Sequence, residues 1–316
     1  MFRACLGVIA AAVIAQAANA GEQREQRTRV LVDEAHHNFH TTTGSYAGYT
    51  RLLQLDRFAV LPLRNSITRD VLDAADVFIS ASALSEPQGV LMRKAKEQGQ
   101  PFEWSATSLV PAFTAVEIAT LQEWVKEGGG LLLVMDHAPF GAAAASLASA
   151  FGVDVRHATT RDTAFTKPTN LLDRPAHFLF TRGTGIVGDH PVLIGVDHVV
   201  TYTGTSLAGP IGSTMLLHLP PSAVDAGGPN VSPRRASGRA QAIALQFGKG
   251  RVVVLGEAGM LTTDPGSGVD ACGDRAIAHP ELGNRRLALN IARWLARRVV
   301  AATPPTVLPP MLCKPE

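Results

Sequence analysis

Cysteine is scarce in this chain. The 316 residues contain three, Cys5, Cys272 and Cys313, and they lack the paired spacing of a zinc site. Charge of one sign is also missing. A formal net charge of +2 withholds the concentrated positive field that nucleic acids and anionic membrane surfaces attract, so neither is expected as a partner. Beyond the first twenty residues, no apolar run reaches the roughly 18 residues of a membrane helix, so no span is expected in the mature chain.

The first twenty residues have the composition of an export signal. Arg3 supplies the positive start, residues 6–15 an apolar stretch too short to cross a bilayer, and Ala18-Asn19-Ala20 a cleavage site before Gly21. The expected location is therefore periplasmic or secreted. Cys5 leaves with the leader. Cys272 and Cys313 remain in an oxidising compartment, which favours one disulfide between them. The stretch 299–316 is a Pro-rich extended tail, and its residues before Cys313 span about 45 Å when extended, enough to return to the loop holding Cys272.

Apolar runs at 30–32, 58–63, 76–80 and 131–135 alternate with helical rhythm at 46–55, 69–75, 113–127 and 141–151. Strands separated by helices predict a mostly parallel sheet covered on both faces, a flavodoxin-like three-layer α/β sandwich. Thr68 caps the second helix and Gly128-Gly129-Gly130 ends the third. Runs at 241–247 and 251–255 flank Gly248-Lys249-Gly250 as a hairpin, and 284–298 reads as a final helix. One domain is expected over 21–298, with 153–240 as a β-rich insertion holding strand-like pieces at 192–196, 199–202 and 214–219. Gly183-Thr184-Gly185-Ile186-Val187-Gly188 has the letters of a dinucleotide loop. It opens no helix, so it is read as a connector.

The motifs, taken in order, resemble a known family. They are a first strand ending in Asp33-Glu34, the Trp124-Val-Lys-Glu-Gly-Gly-Gly-Leu-Leu-Leu-Val134 helix-to-strand junction, His190-Pro191-Val192, Gly248-Lys-Gly-Arg-Val-Val-Val254, and Asn284-Arg-Arg-Leu-Ala-Leu-Asn-Ile-Ala-Arg-Trp-Leu295. Over residues 29–298 the sequence resembles the class I glutamine amidotransferase-like superfamily. It is most similar to the non-catalytic-looking branch found in gliding-motility ABC accessory proteins, intraflagellar transport proteins and uncharacterised exported bacterial proteins. The enzymatic branch carries a cysteine within Gly-x-Cys-x-Gly on a strained turn that helps activate the thiol. The junction that resembles it here is Met135-Asp136-His137-Ala138-Pro139, without cysteine. Amidotransferase chemistry is not expected.

In parallel α/β sheets, ligands gather beyond the carboxyl ends of the strands. Asp33, Glu34, His36 and His37 follow the first strand, Ser82 the third, Asp136 and His137 the fourth, and Glu257 the last. These form the candidate rim site. Two uses are open. One is a binding domain for a small polar ligand, glycan or partner protein, with no cofactor. The other is a hydrolase of an envelope or imported metabolite, working through an Asp/His pair or a divalent metal held by His36, His137 and Asp136. Beside both stands a structural reading, in which the acids cap helices and loops and the histidines complete the core.

Overall fold

The structure, a computed structural model, describes residues 27–100, 110–164, 178–202, 204–227, 232–262, 277 and 282–300. The leader, the two cysteines of the expected disulfide and residues 301–316 of the tail lie outside the described residues.

The strands are β1 (Arg29–Asp33), β2 (Ala59–Leu63), β3 (Val77–Ala81), β4 (Gly130–Val134), β5 (Asp154–Val155), β6 (Thr159–Asp162), β7 (Phe178–Arg182), β8 (Gly185–Ile186), β9 (His198–Thr201), β10 (Leu207–Ala208), β11 (Thr214–His218), β12 (Ala223–Ala226), β13 (Arg234–Arg235), β14 (Ala240–Phe247) and β15 (Gly250–Leu255). The helices are α1 (Ala47–Leu55), α2 (Arg69–Asp73), α3 (Glu86–Glu97), α4 (Ala115–Glu127), α5 (Phe140–Ala143), α6 (Ala145–Ala150) and α7 (Asn284–Leu295). Among the described residues, the main sheet runs β2-β1-β3-β4-β15-β14-β10-β5, with β11 also on β14. Its first five strands are parallel, and β14 turns back antiparallel on β15. Two three-stranded sheets, β13-β12-β6 and β8-β7-β9, lie in the insertion. Its other strands β5, β10 and β11 extend the main sheet.

Residues of the central strands alternate between two cores. Val30, Val32, Ile79, Val134, Val253 and Leu255 join α1 and α7 on one face. Leu31, Phe78, Leu133, Met135 and Val254 join α2, α4 and α6 on the other. Covered on both sides, β3 and β4 are buried at every position, which is why they read as unbroken apolar runs. The edge strand β2 is half exposed. Ala59 N–H and Leu63 C=O bond towards the β1 side, so Pro62, at the alternate position, turns its missing N–H to the open edge. That proline blunts the edge against further strand pairing.

Local chemistry explains the junctions. Thr114 and Glu117 form a capping box: Glu117 N–H donates to Thr114 Oγ1 (3.2 Å) and Thr114 N–H to Glu117 Oε2 (3.0 Å). Gly128, at φ 140°, ends α4 in a conformation closed to side chains. A Cβ on Gly250 would lie 1.9 Å from the Val125 carbonyl oxygen, so β15 starts only where α4 and β15 touch backbone to backbone.

Two expectations change. Helix α3 is absent from the expected elements, because Val90 and Leu91 are its only large aliphatic residues; its signal is the Ser85/Gln88 capping box with proline in the first turn. The stretch 192–196 is not a strand but a short 3₁₀ turn, Pro191–Leu193. His190 Nδ1 accepts from Val192 N–H at 3.2 Å. Asn290 donates to the carbonyls of Val192 and Ile194 (3.0 and 2.9 Å), and Arg182 to those of Leu193 and Val196. Side chains thus satisfy backbone groups that a strand would have paired in a ladder. Asn284 likewise joins α7 to the insertion through Val200 N–H and C=O (3.0 and 2.9 Å).

Candidate functional site

The eight candidate residues all lie at or just beyond carboxyl ends of parallel strands, but the fold sorts them by face. Asp33 alternates with Val32 and points to the α4 side. Asp136 and Glu257 stand two residues beyond Val134 and Leu255, which are paired in register, so they continue the α1 side.

On the α4 face, His36 is held at both ring nitrogens. Nδ1 lies 2.9 and 3.0 Å from the two oxygens of Asp33, and Nε2 lies 3.2 Å from Glu117 Oε1. A neutral imidazole has one N–H, so acceptors at both nitrogens call for the imidazolium. Burial opposes that charge, but the hydrogen bond and charge of Asp33, then those of Glu117, raise the imidazole above its ordinary value of 6.5. Glu117 is lowered against its own burial by Thr114 N–H and hydroxyl, the His36 charge and Ile67 N–H. Asp33, fully buried, also accepts from Ser80 Oγ (2.7 Å), Asn38 Nδ2 (3.3 Å) and Ala35 N–H (3.1 Å). Every member of this network is occupied by another.

Glu34 and His37 are likewise engaged. Glu34 accepts from Thr42 N–H (2.9 Å), Thr42 Oγ1 (2.6 Å) and Arg64 Nε (3.1 Å), closing the loop that leads to α1. His37, at φ 46°, pairs with Glu86 in the first turn of α3.

On the α1 face two carboxyl groups are buried side by side. Asp136 accepts its neighbour His137 N–H at 2.6 Å, and Glu257 accepts Gly259 and Met260 N–H at 2.7 Å each. Burial raises both; the Asp136 charge lifts Glu257 well above the ordinary range, while backbone donors and His137 pull the other way. The pair titrates together and resists carrying two negative charges. Tyr46 packs nearby, its hydroxyl donating to Ala258 C=O at 3.1 Å, and both carboxylates oppose its ionisation after burial itself. His40 stacks on Tyr46 with ring centroids 4.6 Å apart, and burial lowers its pKa to about 4.

The loop from 36 to 46 crosses the rim between the faces. Its tip, Phe39, is 46% exposed, donates N–H to Ser82 C=O (3.1 Å) and meets Phe140 edge-on at 5.7 Å. Phe140 in turn meets the His137 ring at 5.9 Å. Ser82 is buried at φ 47°, and its hydroxyl has no partner among the described residues.

Of the candidate metal set His36, His137 and Asp136, His36 and Asp136 lie on opposite faces of the sheet. Among the described residues, no group of three His, Cys, Asp or Glu converges to hold an ion. His36 is spent on two carboxylates across the sheet from Asp136. Two concavities elsewhere, about 260 Å³ beside Arg69 and Trp124 and about 500 Å³ beside Arg182 and His190, are lined by none of the eight candidates. Sequence reading missed Glu117, although its capping box is legible; the contact with His36 is not. Asn38 and Tyr46 gave no distinguishing signal.

No protein-family model matches the chain, and no curated protein matches its sequence. Solved structures do align with it. The mmIFT52 N-terminal domain is 15% identical with a TM-score of 0.58, covering 84% of this chain and 97% of that one. A ThuA-like protein from Parabacteroides merdae is 12% identical (TM-score 0.45; 89% and 94% covered), and a GMP synthase protein from Thermoplasma acidophilum 10% identical (0.39; 85% and 96%). The first of these shows a shared α/β fold.

Proposed function

We propose that this chain is an exported, glutamine amidotransferase-like binding domain without amidotransferase activity, and that it contacts a small polar ligand, glycan or partner protein at the rim around Phe39, His137 and the Asp136–Glu257 pair. The observation that carries the reading is the β4 junction. It presents a buried carboxyl where the enzymatic branch of the resembled superfamily has a thiol, while His36, engaged at both ring nitrogens, is locked across the sheet. A nucleophile with an adjacent free base is the minimum for thiol-type catalysis. The partly exposed groups at the rim are aromatic and imidazole rings, suited to stacking and hydrogen bonding.

The test uses the mature protein. Glutamine should release no ammonia, and a thermal-shift panel of amino acids, sugars and peptidoglycan fragments should contain a stabilising compound whose effect is lost in Asp136→Asn. Ammonia release dependent on Asp136 would overturn the binding reading. Amino-terminal sequencing of protein secreted by the producing cell should begin at Gly21.

One observation favours the hydrolase reading. Adjacent carboxyls that differ in protonation can divide acid and base roles. Hydrolysis of any panel compound, abolished by either Asp136→Asn or Glu257→Gln, would establish it.

A further inference from the structure

The insertion carries a charge imbalance. Within 154–162 and the described part of 225–239 there are five arginines and three aspartates, an excess equal to the +2 of the entire chain. The aspartates are already committed. Asp225, 3% exposed, takes Arg156 (2.6 Å), Thr160 Oγ1 (2.6 Å) and Ser206 Oγ (2.8 Å). Asp154 takes Arg239 at 2.8 Å, and Asp162 accepts from Ser222 Oγ (2.6 Å) and Ala164 N–H (3.0 Å). No carboxylate among the described residues pairs with Arg161, Arg234 or Arg235, and all three are exposed.

Strand register gives two of them a common direction. Val224 is paired with Arg161 on β6 and with Arg235 on β13. Directly opposed residues share a face, so the two arginines flank a half-buried valine with their stems about 10 Å apart, two strand spacings. Among the described residues, strand β13 pairs with β12 and no strand pairs with its other edge.

We propose that this face of the β13-β12-β6 sheet docks an extended, acidic segment of a partner protein. Arg161 and Arg235 pair with its carboxylates, and an apolar side chain of the segment covers Val224. A guanidinium presents a planar fork of donors that fits a carboxylate through two hydrogen bonds. The valine between the arginines favours a polypeptide alternating acidic and apolar side chains over a free anion or a sulfated glycan. The β13 edge, unpaired among the described residues, adds backbone partners of the kind an added strand uses. The proposal uses none of the eight rim candidates, so it stands or falls independently of the binding reading above.

The test is fluorescence anisotropy of the full mature chain with a labelled peptide alternating Glu and Val. Binding should weaken with salt and fall roughly tenfold in Arg161→Gln/Arg235→Gln, the loss of about two exposed ion pairs. Arg51→Gln/Arg93→Gln, which removes equal charge elsewhere, should leave it unchanged, with circular dichroism confirming that both variants fold. No binding by the native chain, an equal loss in the control, or binding of heparin but not the peptide would overturn the proposal.

Discussion

His36 and Glu117, 81 residues apart in the chain, meet at 3.2 Å and tie the loop after β1 to the first turn of α4. The contact needs the imidazolium, and that requirement fixes a pH dependence. His36 is raised in the fold, so its contribution to stability is fully present below the unfolded value near 6.5 and is lost as pH rises through the folded value. Denaturant unfolding across that range should show stability falling with pH. His36→Gln should flatten the slope, and Glu117→Gln should destabilise by about 1–3 kcal/mol in mild acid. A slope unchanged in His36→Gln would assign it to other groups.

The Asp136–Glu257 pair acts in the same direction for a different reason. Folding raises carboxyls that ionise near 3.8 and 4.5 when free. The folded chain therefore binds more protons than the unfolded one above those values, and stability declines as pH rises towards the folded values. Asp136→Asn removes the repulsion while its amide oxygen still accepts the His137 N–H. It should gain about 1.4 kcal/mol at neutral pH for each tenfold by which the fold weakens ionisation of the pair, and much less in acid. A loss of stability at neutral pH would show that the native pair is held by an interaction the carboxylate alone makes.

Gly89 reverses a general expectation. Alanine normally stabilises a helix interior over glycine by about 1 kcal/mol. Here a Cβ would fall 2.0 Å from His37 Cγ and 2.4 Å from its Cβ, near the backbone of a residue already at positive φ. Gly89→Ala should therefore destabilise by about 1–3 kcal/mol, and His37→Gly should restore much of the loss in the double variant. A stabilised single variant would mean that the 34–46 loop moves away at little cost.

The sheet was legible because its strands are buried on both faces and its helices carry capping residues: Val30, Leu132 and Val253 read as core, Thr68 and Gly128 as boundaries. That Asp33, Asp136 and Glu257 stand at the carboxyl ends of parallel strands followed from strand polarity alone. Their division between faces did not, because it depends on whether each residue lies an odd or even number of positions beyond its strand, and the loops that leave the sheet obscure that count. Helix α3 escaped because its sequence is largely polar, with few apolar residues to mark a buried face. The 191–194 turn escaped because its backbone is satisfied by Asn290 and Arg182, from distant parts of the chain.

The division of the rim into two independent networks is tested most directly by a double-mutant cycle between Glu117→Gln and Asp136→Asn, read as unfolding free energy. Separate networks give effects that add within about 0.5 kcal/mol, whereas His36→Gln combined with Glu117→Gln departs from additivity. Coupling above about 1 kcal/mol between Glu117 and Asp136 would mean that the acids and imidazoles form one site.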